Sequence, residues 1–207
     1  MINSPLYHDH RSAFWRRPDE LYTGGRPPWD IDRPQPAFLA LADAGEIRGR
    51  VLDVGCGTGE HVLLCADRGL DATGVDLAPT ALATARAKAD QRHLTARFLL
   101  HDARRLADLA ESFDTVLDCG LFHIFDAADR AAFVASLRTA LVPGGRYLVL
   151  CFSDAQPGVI GPHRITRDEI VTAFRPGWRV DSIEPATIET LTDPNGIRAW
   201  LGALTRT

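Results

Sequence analysis

Val51-Leu52-Asp53-Val54-Gly55-Cys56-Gly57-Thr58-Gly59 decides the fold. Four residues read as a short apolar strand closed by Gly55, and a helical pattern resumes at 59–68 with Val62, Leu63 and Ala66 on one face. Glycine between a strand and a helix lets the backbone turn sharply and approach a ligand closely. A dinucleotide fingerprint spaces its glycines GxGxxG and sets a pyrophosphate on the helix N-terminus. Here the spacing is GxGxG with an acid two residues upstream. That pattern suits a ligand that brings no phosphate and carries a positive group.

Moving outward, strands and helices alternate. A helix is expected over 36–45, with Pro36 at its start and Gly45 at its end. Ala72–Val75 reads as a second strand and 79–90 as a helix, with Ala78, Leu82, Ala85 and Ala89 at helical spacing. Ala96–Leu100 and Phe113–Leu117 follow as strands. Asp126 can cap a helix running to about Leu141, and Pro143-Gly144-Gly145 reads as a turn. Tyr147–Phe152 is apolar throughout, as a strand covered on both faces must be. Thr166 caps a further helix to about Phe174. Trp178–Leu191 and Ile197–Leu204 read as two strands joined by the turn Asp193-Pro194-Asn195-Gly196. The expected fold is α/β: a Rossmann-like, doubly wound seven-stranded sheet, mostly parallel, with one antiparallel strand from the C-terminal hairpin. Residues 24–36 are a Pro- and Gly-rich loop, preceded by a possible short helix over 9–22. Residues 1–35 are expected to form a lid on a domain spanning 36–207.

Composition bounds the function. The chain has 207 residues, 45% hydrophobic and 24% charged, with a net charge of −4. A charge so near neutrality with scattered basic residues disfavours nucleic acid as partner. The longest apolar runs, Ala37–Ala42 and Tyr147–Phe152, fall far short of the ~20 residues of a membrane span. No apolar signal core opens the chain, so a cytoplasmic protein is expected. Cys56, Cys65, Cys119 and Cys151 have neither CxxC nor zinc spacing, and the pair His8 and His10 lacks a third ligand nearby, so no metal is expected.

Four acidic positions and a histidine stand at the carboxyl ends of the strands, where open α/β sheets bind ligands. Asp76, 21 residues beyond Gly55, can accept both ribose hydroxyls of a nucleoside or cap the helix at Pro79. Asp102, followed by Ala103, can accept from an exocyclic amine or cap a short helix. In Asp118-Cys119-Gly120-Leu121-Phe122-His123, His123 can face the reacting centre and take a proton, or pack as a structural residue. Cys56 reads as loop packing, and no GxSxG or Cys/His signature suggests covalent catalysis.

Asp53–Gly59, Asp76, Asp102-Ala103, Asp118 and Pro143-Gly144-Gly145 together resemble the class I S-adenosylmethionine-dependent methyltransferases over about residues 36–204. Tyr22, Pro28-Trp29-Asp30 and Pro34-Gln35-Pro36 resemble the branch with thiopurine, thiol and mycobacterial small-molecule methyltransferases. The resemblance implies S-adenosyl-L-methionine as cofactor, with contacts from Asp53, Gly55, Cys56, Gly57, Gly59, Asp76, Leu77, Asp102, Ala103 and Asp118. It further implies that Tyr22 and Trp29 close over the methionine end. Trp29 can equally pin the proline loop to the core. A thiol acceptor needs only thiolate stabilisation, whereas a phenol or protonated ring nitrogen gains from a base, for which His123 and Asp30 are the candidates. The expected activity is methyl transfer to a small molecule, first a thiol sulfur and second a heterocycle or phenol, by a monomer or weak dimer. A nicotinamide-dependent oxidoreductase and a non-catalytic binding module are the alternatives from other classes.

Overall fold

A computed structural model describes residues 17–158 and 161–207. The strands β1 (Arg50–Val54), β2 (Asp71–Asp76), β3 (Arg97–Leu100), β4 (Phe113–Cys119), β5 (Leu141–Phe152), β6 (Trp178–Ile188) and β7 (Ile197–Arg206) form one sheet in the order β3-β2-β1-β4-β5-β7-β6. Only β7 runs antiparallel to its neighbours, pairing with β5 and with β6. The doubly wound sheet with its closing hairpin is as the sequence implies. The central strands are buried on both faces over most of their length, and the run Tyr147–Phe152 of β5 is apolar throughout. β6 alternates and carries Pro185, which an edge strand tolerates because its outer side has no ladder to break.

One element differs. Pro143-Gly144-Gly145 does not separate a helix from a strand that begins at Tyr147. β5 begins at Leu141, pairing with Phe113, and the ladder resumes with Arg146 opposite Thr115. The intervening residues bulge from the strand, with Gly144 at φ +78. The polar link before β4 contains 3-10 turns over Ala103–Leu109, which begin at Asp102, the residue offered by the sequence as a cap for a short helix.

The helices α1 (Glu20–Thr23), α2 (Pro36–Asp43), α3 (Glu60–Asp67), α4 (Pro79–Gln91), α5 (Ala127–Ala140) and α6 (Arg167–Ala173) cover the faces. One core packs Phe113, Phe122, Phe133, Tyr147 and Phe174 beneath α5 and α6; the other packs Phe38, Leu63, Leu82 and Phe98 beneath α2, α3 and α4. α5 starts at Asp126, which accepts from the Asp129 amide at 2.9 Å, and α6 at a Thr166–Glu169 capping box. α4 has no cap of its own. Asp19, just before α1, accepts from the Thr80 amide at 2.7 Å and its hydroxyl at 3.1 Å, and so ties α1 to α4. Most of the expected 9–22 helix, and the His8–His10 pair, lie outside the described residues. No described helix is long and apolar enough to cross a membrane.

Strand order reverses between β1 and β4, and the crevice at such a switch point is where a ligand site is expected.

Candidate functional site

The glycine loop begins where β1 ends. The amides of Gly55 and Cys56 both donate to the Val75 carbonyl, at 2.8 and 3.0 Å, which bends the chain over the end of β2. Gly55, Gly57 and Gly59 have φ of +69, +52 and +86, which glycine adopts without strain. The hydroxyl of Tyr22 lies 2.8 Å from where a Cβ on Gly57 would sit, so α1 rests against the loop.

Asp76 holds this loop in place. Its Oδ2 accepts from the Gly57 amide and its Oδ1 from the Ala78 amide, both at 2.8 Å. Burial pushes its pKa up while these amides pull it down. Asp76 thus bonds the glycine loop and the residue before α4, and each oxygen keeps capacity for a second bond toward the cleft that it lines.

Asp53 is the unusual group. It is 1% exposed, and neither carboxylate oxygen has a hydrogen-bond partner among the described residues. Burial, then the charges of Asp118 and Asp76, hold its pKa well above the ordinary carboxylate range. His61 approaches with Nδ1 3.8 Å from Oδ2. The His61 Nε2 accepts from the Gln35 amide at 3.2 Å, which places the ring proton on Nδ1, facing Asp53. Burial pushes the imidazole down to about 4, so it is neutral near pH 7 and does not neutralise Asp53. A buried carboxylate without a partner is costly, and Asp53 stands directly behind the glycine loop rather than among the residues that line the cleft.

Three expected site residues have other occupations. Asp102 caps the following 3-10 turn through the Arg104 amide at 2.9 Å and binds the Arg104 guanidinium through both oxygens, at 2.7 to 3.2 Å. It lines the cleft with Ala103, but as one half of an ion pair. Asp118 is fully buried and does not reach the cleft. It accepts from the Tyr147 hydroxyl at 2.7 Å and the Leu121 and Phe122 amides at 2.8 and 3.1 Å. Asp118 fixes the end of β4 to the 3-10 turn Phe122–Ile124, and like Asp53 it lies behind the residues that line the cleft. His123 lines the cleft, yet its Nδ1 accepts from the Phe152 amide at 3.0 Å and its ring packs edge-on against Phe152 at 4.6 Å. Burial, with Arg164, Arg130 and His163 adding, pushes it down to about 3. A base this weak, with one lone pair already engaged, does not take a proton near pH 7. In this arrangement the His123 Nδ1 is engaged by the Phe152 amide and Nε2 carries the ring hydrogen.

Asp118 gives a pH prediction. Its pKa rises on folding from 3.8 to about 7. Stability from this group is fully present below the unfolded pKa and is lost as pH rises toward about 7, at roughly 1.4 kcal/mol per unit. Asp53 and Asp76 act with the same sign, and Asp53 is itself raised in part by the Asp118 charge, so the difference between wild type and Asp118→Asn reports Asp118 together with its coupling to Asp53. Urea midpoints across pH 4–7 are expected to fall less in the variant; parallel profiles rule the mechanism out.

The segment 26–35 forms a strap along the cleft. Gln35 clasps the C-terminal hairpin: its Oε1 accepts from the Glu189 amide at 2.8 Å and its Nε2 donates to the Glu189 carbonyl at 3.0 Å. The Leu191 amide donates to the Pro28 carbonyl at 2.8 Å, and Arg33 pairs with the Glu189 carboxylate at 2.6 Å. Lys88 reaches both Asp32 and Glu60 at 2.8 Å, anchoring the strap to α3 and α4. Trp29 donates from Nε1 to the Tyr22 hydroxyl at 3.4 Å, and both line the cleft, as does Asp30, which sits 3.8 Å from Arg26. Leu77 is 44% exposed on the cleft wall.

Sequence reasoning passed over His61, Gln35, Arg130 and Arg164, all of which line the cleft. Gln35 stood in the sequence only as part of Pro34-Gln35-Pro36, without a role of its own. The cleft encloses about 2360 Å³, well beyond the roughly 300–1,000 Å³ of a single-ligand pocket, so it has room for two molecules side by side.

Comparison with known proteins agrees with this geometry. Residues 51–145 match the family described as "Methyltransferase domain". A 2-heptyl-1-hydroxyquinolin-4(1H)-one methyltransferase of Mycobacteroides abscessus is 37% identical over 174 residues, 83% of this chain and 76% of the relative. A probable thiol methyltransferase of Arabidopsis thaliana is 29% identical over 181 residues, 86% and 79% of the two chains. A solved structure from work on "Conversion of a Disulfide Bond into a Thioacetal Group during Echinomycin Biosynthesis" superposes with a TM-score of 0.84 at 38% identity, covering 92% of each chain. More distant structures of the fold hold bound S-adenosylmethionine or its demethylated product.

Proposed function

The chain belongs to the S-adenosylmethionine-dependent methyltransferases of small-molecule type, and from that premise we propose that it methylates a small acceptor held beneath the strap, with a thiol sulfur as the first choice. When bound, S-adenosylmethionine supplies an activated sulfonium methyl group. The observation that supports a small acceptor is the strap itself, bonded through Gln35, Pro28 and Arg33 to the hairpin, so the cleft is roofed.

In this reading the chain's own groups bind and orient. Asp53, buried and without a partner, supplies the negative charge for the ammonium of the methionine moiety. Asp76 fixes the glycine loop and accepts from the ribose hydroxyls. Leu77 and Ala103 flank the adenine, with Asp102 held back by Arg104. Tyr22 and Trp29 shield the methionine end, where burial pushes the Tyr22 phenol above its usual range and keeps it protonated. Residues 17–35 serve as a lid on the domain that begins at Pro36. Exclusion of water and alignment supply most of the rate, as no covalent step is required.

A specific observation favours a second acceptor. The relative named for a hydroxyquinolone is 37% identical, so N- or O-methylation of a heterocycle follows thiol methylation in rank. An acceptor screen with S-adenosylmethionine across alkyl and aryl thiols, hydroxyquinolones and catechols separates the two. Preferred turnover of a thiol is the expected result; preference for a hydroxyquinolone transfers the assignment to the second acceptor, and binding without any transfer overturns both.

His123→Ala tests the packed arrangement. Loss of the Phe152 anchor should lower kcat/KM by the same factor with thiol and phenol, on the order of tenfold or less. A loss confined to the phenol restores His123 as a base.

A further inference from the structure

A surface groove lies where α5 and the end of α6 meet the start of β6 and the end of β7. Val134 and Ala135 of α5, Ala173 of α6, Pro176 and Trp178 line it, and three arginines join them: Arg138, Arg175 and Arg206. It encloses about 540 Å³, the size of a single-ligand pocket, and shares no lining residue with the cleft. The backbone brings the arginines together. Trp178 stands opposite Arg206 across the β6–β7 ladder, so both side chains leave the same face of the sheet. Arg138, in the last turn of α5, has its Cζ 3.0 Å from where a Cβ on Gly177 would sit, directly before Trp178. Arg175 stands two residues before Gly177, on the connection from α6. Arg206 donates from Nη1 to the Leu141 carbonyl, while its buried Nε has no partner among the described residues.

These charges are not neutralised among the described residues. None of the three arginines is in an ion pair with a described carboxylate, that of Thr207 included. The acids of the surrounding elements have other partners or positions. Asp126 caps α5, and Asp129 pairs with Arg104 at 2.7 Å. Glu169 meets His163 at 2.7 Å and Arg130 at 3.3 Å, and Asp168 shares its first turn of α6, away from Ala173. On β6, Asp181 binds Arg179 at 2.5 Å and the Thr205 hydroxyl at 2.6 Å, on the face opposite Arg206. Glu184 stands opposite Leu201, well along β7 from Arg206, and β7 itself carries no acid. The C-terminal end of α5 offsets about half a unit charge, which leaves the groove with an excess of positive charge.

We propose that this groove is a second binding site, for a compact aromatic anion: its carboxylate or phosphate is held by the guanidiniums of Arg138, Arg175 and Arg206, and its ring lies over Trp178 and Pro176. Guanidinium groups suit the task because they stay charged and donate in a fixed plane that matches an oxyanion. The apolar wall selects an organic anion over an inorganic one, since a ring buried there adds contact that a bare ion lacks. The site stands apart from methyl transfer and does not depend on it.

Binding can be read without turnover. The probe is 2-naphthoate and its neutral control is 2-naphthamide, each titrated calorimetrically into the protein saturated with S-adenosylhomocysteine. The naphthoate is expected to bind about tenfold tighter or more, a preference that shrinks with added salt. The double variant Arg138→Gln, Arg175→Gln changes only exposed side chains and should reduce the preference to about twofold or less, with S-adenosylhomocysteine affinity unchanged. A second measurement needs no arginine variant. In wild-type protein, naphthoate should shift the indole N–H resonance that Trp178→Phe removes, and naphthamide should leave it in place. Equal wild-type affinity for the pair, or binding of neither, overturns the inference. A preference that survives the double substitution places the anion elsewhere and overturns it too, as does a Trp178 resonance that naphthoate does not move.

Discussion

Asp76→Ala should weaken binding of S-adenosylhomocysteine by about 2–4 kcal/mol, roughly a thirtyfold to near thousandfold rise in Kd. Two losses combine. The substitution removes the acceptor pair proposed for the ribose, and it releases the Gly57 and Ala78 amides that shape the glycine loop. Asp76→Asn, which keeps one carbonyl acceptor, should fall between. Calorimetric titration checks the series, with thermal unfolding of the unliganded protein run beside it. A Kd within threefold of wild type takes Asp76 out of the site. A large loss of stability with little change in Kd assigns it to the loop alone.

Gly59→Ala should cost about 2–5 kcal/mol of folding stability. The residue sits at φ +86, where a Cβ alone costs about 1–2 kcal/mol. The new methyl would also lie 2.8 Å from Phe98 and 2.9 Å from Ala85, in a core packed between α3, α4 and β3. Gly69 is the internal control: its φ is +76, but no atom lies within 4 Å of the added Cβ. Gly69→Ala should therefore show the backbone cost without the clash. Urea denaturation of the two variants gives the packing contribution by difference, and equal destabilisation contradicts it.

The sheet was legible because its signals are local. Apolar runs of the right length, glycine at their ends and helical periodicity between them place β1 to β4 within two residues. Pro143-Gly144-Gly145 misled because a turn and a bulge use the same residues, and only pairing with Phe113 and Thr115 distinguishes them. The glycine loop with Asp53 and Asp76 was legible for the same reason. Asp118 and His123 were not: whether such a side chain faces a ligand or an internal partner depends on Tyr147 and Phe152, each 29 residues away. Asp102 shows the opposite limit, since its partner Arg104 stands two residues on and spacing alone does not reveal that the pair closes. His61 and Gln35 act through a contact across 26 residues, and Gln35 reaches the hairpin across 154.

That last contact orders events during synthesis. Pro28, Arg33 and Gln35 precede the whole sheet in the chain, yet their partners Glu189 and Leu191 follow β1 to β6. Closing so long a loop is entropically unfavourable until the intervening sheet has formed. The strap therefore docks last, after β7 has inserted between β5 and β6. A nascent or C-terminally truncated chain can assemble the glycine loop but not the roof above it. Full ligand protection of the strap against proteolysis should thus require an intact β6–β7 hairpin.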